Sequence, residues 1–292
     1  MRYAFFPGCS LDSTARDFRK STDAVCERLG IELQEIPGWT CCGSTPGHAT
    51  DATLAVALPV VNLLKAEKMG RDVVTTCAAC YSRLRAANDE MSREGAIRAS
   101  VDEATRAQYR GTVRVRHLLD VLVNDLGLEV IGDYVERPLF GLRVACYYGC
   151  LLTRPPKVVA FDDPEHPTAL DRLMTTIGAT PVEWPAKVEC CGAGLSLTSP
   201  DVMRRLAFGI LEMAQRARAD CIAAACPLCQ SNLDLRQPES VRAAGGDLSL
   251  PVLYFTQLLG LALGLEPAKL GLGKLFVSAR PVLEKIPATV MR

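Results

Sequence analysis

The chain has 292 residues, 49% of them apolar, with 33 basic residues balanced by 33 acidic ones, so it has the length and apolar content for one large domain or two ordinary ones. It carries no Lys/Arg block and no aromatic–basic stripe, which argues against a nucleic-acid partner. The start, MRYAFFPGCS, lacks the apolar core of a signal peptide, and the longest apolar stretch, residues 254–265, falls short of the roughly 20 residues of a membrane span; a cytoplasmic protein without a transmembrane segment is expected.

In chain order, Tyr3 to Phe6 reads as a short apolar strand that turns at Gly8-Cys9. STARDFRKSTDAVCERLG reads as a helix with Phe18, Val25 and Leu29 on one face and Gly30 as its stop. A strand over Glu32 to Ile36 runs into Cys41-Cys42-Gly43. ATLAVALPVVNLLKAEKMG is a second helix, ended by Gly70, and Val73 to Thr76 is a buried strand leading into Cys77-Ala78-Ala79-Cys80. The polar segment 87–108 is extra helix or loop, and PVLYFTQLLGLALG near the end reads as a core helix rather than a membrane-surface one.

The same landmarks then recur: Gly149-Cys150, Cys190-Cys191-Gly192 and Cys226-Pro227-Leu228-Cys229. The intervening lengths are 31 and 34 residues in the first half and 39 and 34 in the second, an internal repeat. YAFFPGC faces VACYYGC, VVTTCAACYSRL faces IAAACPLCQSNL, and each half closes on LGLE. The expected fold is therefore α/β: two tandem domains, 1–137 and 138–292, each a small, mostly parallel sheet flanked by helices and related by a pseudo-two-fold repeat. Every cysteine cluster falls at the carboxyl end of a strand, where open α/β sheets gather their ligands, and both C-x-x-C pairs would open helices, whose N-termini favour thiolate.

Thirteen cysteines in a chain of this class are ligands or redox groups rather than a disulfide framework. Ten recur: Cys9, Cys41, Cys42, Cys77 and Cys80, then Cys150, Cys190, Cys191, Cys226 and Cys229. Cys26, Cys146 and Cys221 have no counterparts and read as small core residues, with Cys146 placed nearest a site by its spacing from Cys150. Five thiolates overfill a tetrahedral zinc site, although one of a pair could stand aside. An ordinary iron–sulfur cubane needs four, in a C-x2-C-x2-C run that is absent, and a redox disulfide at C-x-x-C leaves the adjacent pairs unexplained. Gly8, Gly43, Gly149 and Gly192 would let backbone approach a bound cluster and offer N–H groups to it.

The repeated set resembles the CCG domain family. With FPGC, CCG, CAAC, YYGC, CPLCQSNLD and PVLYFTQLLGLALG in that order, the chain is similar to the B-type subunit of heterodisulfide reductase (the HdrB family) and its bacterial relatives. The resemblance implies two [4Fe-4S] clusters of noncubane form, one per half, with the ten recurrent cysteines as metal ligands. It implies a disulfide substrate, CoM-S-S-CoB in the methanogen family, between the clusters, and an oxidoreductase acting on sulfur groups. Two facing one-electron centres would match the two electrons that a disulfide consumes. No G-x-G-x-x-G or Walker loop is present, so electrons would arrive through partners, which the resemblance implies are a small ferredoxin-like iron–sulfur subunit and a flavin subunit. Related subunits accompany some succinate dehydrogenases and fumarate reductases, which leaves an electron-transfer or anchor role as the alternative. Arg154, Lys157, Arg16 and His48 are candidates for holding an anionic thiol, against the plainer reading of solvated surface groups. His117 and His166 lack companions that would make them ligands or bases. GSTPGHATD and LLTRPPK identify no particular thiol.

Overall fold

The structure, a computed structural model, describes residues 1–286. The first half runs β1 (Arg2–Phe5), α1 (Gly8–Asp12), α2 (Arg16–Arg28), β2 (Glu32–Glu35), α3 (Ser44–Thr50), α4 (Ala52–Met69), β3 (Val73–Thr75), α5 (Ala78–Met91), α6 (Ala96–Thr105), β4 (Val115–His117), α7 (Leu118–Asp120) with a π-helical continuation over Val121–Gly127, and α8 (Leu128–Asp133). The second runs β5 (Arg143–Tyr147), α9 (Pro156–Val159), α10 (Ala169–Thr176), β6 (Thr180–Pro181), a 3-10 turn at Ala193–Leu195, α11 (Pro200–Arg216), β7 (Cys221–Ala224), α12 (Pro227–Leu233), α13 (Gln237–Ala243), β8 (Val252–Tyr254), α14 (Phe255–Ala262), a 3-10 turn at Leu272–Lys274 and α15 (Arg280–Lys285).

The two four-stranded sheets have the same order, β2-β1-β3-β4 and β6-β5-β7-β8, and every pairing is parallel. The register repeats as well: Ala4 stands opposite Val73, and Ala145 opposite Ile222. The α/β expectation with two repeated parallel sheets holds. The central strands β1, β3, β5 and β7 are apolar and buried nearly throughout, as strands covered on both faces must be. The expected helix over 52–70 forms as α4, with the Asp51 carboxylate accepting from Leu54 N–H at its start and left-handed Gly70 (φ 64°) at its end. The polar surplus after Cys80 is taken up by the end of α5 and by α6.

The halves join through reciprocal contacts. α2 packs on α14, where the Phe18 ring stacks on Tyr254 at 3.9 Å and meets Phe255 edge-on, and the Ser21 and Thr256 hydroxyls share a buried hydrogen bond of 2.7 Å. In the opposite direction α10 packs on α7 and α8. α5 meets α9, with Tyr81 donating from its hydroxyl to Val159 O at 2.8 Å and Arg85 donating to Val158 O. PVLYFTQLLGLALG supplies β8 and the wholly buried α14, so it is core as expected. Among the described residues no helix is long and apolar enough to cross a membrane.

Candidate functional site

All ten recurrent cysteines lie at or just beyond the carboxyl ends of strands. In the first half the chain leaves β1, turns at Gly8 and carries Cys9 on α1, exposed; the loop after β2 carries Cys41, exposed, and Cys42, buried; Cys77 caps the start of α5 and Cys80 lies in its first turn, both buried. The Sγ atoms of Cys42 and Cys80 are 3.4 Å apart, and Cys9 is near enough to Cys41 to act on it electrostatically. In the second half Cys150 is half-buried after β5, Cys190 is exposed, and Cys191, Cys226 and Cys229 are buried. The Cys191 and Cys229 Sγ atoms are 3.5 Å apart, and Cys150 and Cys190 act on one another's ionisation. The two sets adjoin: α1, which carries Cys9, packs on α12, which carries Cys229, and Cys77 at the head of α5 and Cys226 at the head of α12 act on one another's ionisation.

These contacts divide the thiols into those that ionise and those that stay protonated. Hydrogen bonds from Cys41 and then Cys80 pull Cys42 down to about 3 despite its burial, and the hydrogen bond from Cys150 pulls Cys190 down to about 6. Cys226 is likewise lowered, by Cys229 first and Cys77 second. The donors Cys41, Cys80, Cys77, Cys150 and Cys229 are all pushed up. In each half, then, neighbouring thiols favour the thiolate at one member of a close pair, the form that binds metal. Among the described residues no three His, Cys, Asp or Glu side chains surround one point as a single ion would require; the thiols meet in pairs.

The glycines divide into two kinds. Gly8 and Gly149 both have φ of 70°, and a Cβ on either would press on a site thiol, 2.9 Å from Cys80 Sγ and 3.0 Å from Cys229 Sγ respectively. A Cβ on Gly43 or Gly192 would instead meet Leu58 of α4, or Met203 and Leu206 of α11. These two keep room for helices, while their N–H groups face Cys41 and, at 3.4 Å, Cys190 Sγ.

Of the other candidates, Arg154 shares a cleft of about 480 Å³ with a site thiol, Cys150, but its guanidinium is engaged by Glu165 at 2.6 Å and by Val188 O. Arg16 lines a separate cleft of about 470 Å³ at the seam between α2 and α12, His48 lines one of about 430 Å³ between α4 and α5, and Lys157 is exposed on α9. His117 is a satisfied core histidine: Nε2–H donates to Thr76 O at 3.0 Å and Nδ1 accepts from Leu119 N–H at 3.2 Å. His166 is exposed. Cys26, Cys146 and Cys221 are buried in α2, β5 and β7. Cys146 is not beside the site, because neighbours on a strand face opposite ways: Tyr147 turns toward the thiols, and the groups that act on Cys146 are Asp171, Lys187, Cys221 and Glu183.

The residues around the adjacent pairs were not visible in the cysteine pattern. Asn62 of α4 holds the Thr40 backbone before Cys41, Tyr147 holds Glu189 O before Cys190, and Asn232 Nδ2 donates to Cys191 O at 2.9 Å.

Residues 3–85 and 144–234 each match the cysteine-rich domain named CCG. The chain belongs to this family and carries two copies of its domain. It is 34% identical over 292 residues to the B-type subunit of the ferredoxin:CoB-CoM heterodisulfide reductase of Methanosarcina mazei, covering 98% of this chain and 97% of that one. It is also 34% identical over 279 residues to the membrane anchor subunit of the 8-methylmenaquinol:fumarate reductase of Wolinella succinogenes (95% and 97% covered), and 30% identical to a protein of Archaeoglobus profundus described as like the B-type subunit of heterodisulfide reductase (92% and 93%). A solved structure of a hypothetical protein from Helicobacter pylori shares the fold, with a TM-score of 0.76 at 14% identity over 95% of this chain and 52% of that one.

Proposed function

We propose that each set of five cysteines holds an iron–sulfur cluster of the four-iron class in a noncubane form, and that the chain is the catalytic subunit of a heterodisulfide reductase-like complex, reducing or forming a disulfide or persulfide at the seam. The observation that carries this reading is the packing of α1, which bears Cys9, on α12, which bears Cys229, which brings two thiol sets together where one alone would suffice for an electron carrier.

The donor set fits such a group. All the converging side chains are thiols, the soft donors that iron–sulfur chemistry selects, and Gly8 and Gly149 leave open the space in front of Cys80 and Cys229. When bound, such clusters supply electrons one at a time. The chain's own residues do the rest. Cys42, Cys190 and Cys226 present thiolate before loading. Buried Tyr147 and Tyr254, close enough to the inner thiols to feel their charge, keep water from them, and exposed Cys9, Cys41 and Cys190 leave each set open on its outer side. Electrons would come from a small ferredoxin-like iron–sulfur subunit and a flavin subunit.

The 34% identity to a fumarate reductase anchor subunit supports a second reading, an electron-transfer or anchor subunit that makes and breaks no sulfur bond itself. Metal and sulfide analysis of anaerobically purified chain tests the common part: about four irons and four sulfides per half are expected, and stoichiometric zinc without iron defeats both readings. Electron paramagnetic resonance of the oxidised protein during titration with small thiols separates them. A spectrum that shifts with a thiol supports sulfur chemistry, and indifference to all of them supports electron transfer.

A further inference from the structure

In both halves the residue just before the adjacent cysteines is fixed by one buried polar side chain, but the side chain comes from a different element, α4 in the first half and the end of β5 in the second. In the first half Thr40 N–H donates to Asn62 Oδ1 at 2.8 Å, and Asn62 Nδ2 donates back to Thr40 O at 3.0 Å. In the second half Glu189 O accepts from the Tyr147 hydroxyl at 2.6 Å. Asn62 and Tyr147 are both 0% exposed.

The equivalent positions are empty of polarity. The sheet register, with Ala4 opposite Val73 and Ala145 opposite Ile222, puts Phe6 where Tyr147 stands, and Phe6 has no hydroxyl. The turn of α11 that matches Asn62 carries Ile210 and Leu211, both buried and apolar. At the residue before the pair each half therefore has one anchor and lacks the other's, and the second half adds Asn232, which donates to Cys191 O. The repeat preserves the anchoring while exchanging its source, which general packing of a core does not require.

We infer that Asn62 and Tyr147 are the positioning residues of the two adjacent pairs, Asn62 for Cys41-Cys42 and Tyr147 for Cys190-Cys191, so that the two sites are set independently and by different groups. The peptide leading into Cys41 or Cys190 decides where that exposed thiol points. Asn62 grips Thr40 at both N–H and C=O, whereas Tyr147 holds Glu189 at C=O alone. The Tyr147 ring packs behind Gly149 at 3.7 Å from where a Cβ would stand, as Phe6 does behind Gly8 at 3.6 Å, so the hydroxyl is what distinguishes the two. Two sites built this way are inequivalent despite their matching cysteines.

The inference rests on the reading that each set holds an iron–sulfur cluster, and the experiment separates the two. The full chain is loaded anaerobically, its iron and sulfide are measured, and it is then titrated with dithionite under electron paramagnetic resonance. Absence of iron from the wild type overturns the cluster reading itself. Given a loaded wild type, Tyr147→Phe removes a single oxygen and is expected to keep full iron while shifting one of the two reduction steps; Asn62→Leu is expected to shift the other. Full iron with no shift in Tyr147→Phe, a shift of both steps in that variant, or both variants moving the same step overturns the inference. Should Asn62→Leu lose iron, Tyr147→Phe decides alone. A purely structural role would lower iron content or melting temperature and leave the potentials of the loaded sites unmoved.

Discussion

Replacing Gly8 by alanine separates two costs that usually travel together. Gly8 has φ of 70°, a left-handed conformation that costs an L-residue about 1–2 kcal/mol. A Cβ there would also stand 2.9 Å from Cys80 Sγ, closer than real carbon–sulfur contacts. Cys80 has little room to yield: it is 4% exposed, it is in the first turn of α5, and Cys42 Sγ lies 3.4 Å away. Gly30 is the control, because its φ is 67° and nothing lies within 4 Å of its added Cβ. Gly30→Ala should therefore lose about 1–2 kcal/mol in denaturant unfolding, and Gly8→Ala that much and more, while only Gly8→Ala displaces a thiol and loses the iron of the first half. Gly149→Ala, with 3.0 Å to Cys229 Sγ, should do the same in the second half. Equal iron in Gly8→Ala and Gly30→Ala would refute the idea that Gly8 is kept to make room for Cys80.

Burial holds His117 down to about 4, against about 6.5 when unfolded. The unfolded chain thus takes up the proton first as pH falls, and about 3 kcal/mol of stability present above pH 6.5 is lost between there and 4; denaturant unfolding from pH 7.5 to 5 should decline in the wild type and be flatter in His117→Phe, and parallel curves would contradict this. Phe18→Ala removes the ring stacked on Tyr254 at 3.9 Å and should cost about 3–5 kcal/mol, read by thermal or denaturant unfolding. Cys221→Ala, deep in β7 and away from the ten site cysteines, should leave iron content at the wild-type value; loss of iron would mean the set is wrongly drawn. Arg154→Ala breaks a partly exposed pair with Glu165 and should change stability by less than about 1 kcal/mol, so a large fall in thiol-induced spectral shift in that variant would reveal a substrate contact.

Much of this arrangement is legible in the sequence because cysteine spacing and strand ends are local features. The strands before Cys9, Cys41 and Cys77 announce themselves by short apolar runs, and the repeat doubles the signal. Proximity in sequence misleads where the backbone alternates: Cys146 is four residues from Cys150, yet strand geometry turns it away and presents Tyr147 instead. Gly43 and Gly192 adjoin the cysteines, but the directions of their missing side chains are decided by α4 and α11. Asn62 sits in the apolar run PVVNLLK, and its partner, the Thr40 backbone, is brought to it only when α4 folds over the loop. Tyr147 differs from Phe6 by one oxygen, and its target, Glu189 O, is 42 residues away. The contacts across the seam are more remote still, since Ser21 and Thr256 are 235 residues apart and no periodicity links them.

That remoteness explains what fixes the two thiol sets relative to one another. The seam is held in one place by the Phe18–Tyr254 stack with its Phe255 edge, and in another by Tyr81 and Arg85 of α5, anchored to Val159 O and Val158 O. Tyr81 follows Cys80 directly on α5, and Tyr254 ends β8, the neighbour in the sheet of the strand that leads into Cys226, so both anchors lie close to the site. None of these anchoring contacts is made by a cysteine. Apolar burial and buried hydrogen bonds hold the seam, and the thiols meet because the cores beneath them do. A site preorganised in this way needs no bound group to align its halves. What a bound group would add is stability to each set separately, which is why substitutions at Gly8 and Gly149 are expected to act on one half at a time, whereas Phe18→Ala should disturb the relation between them.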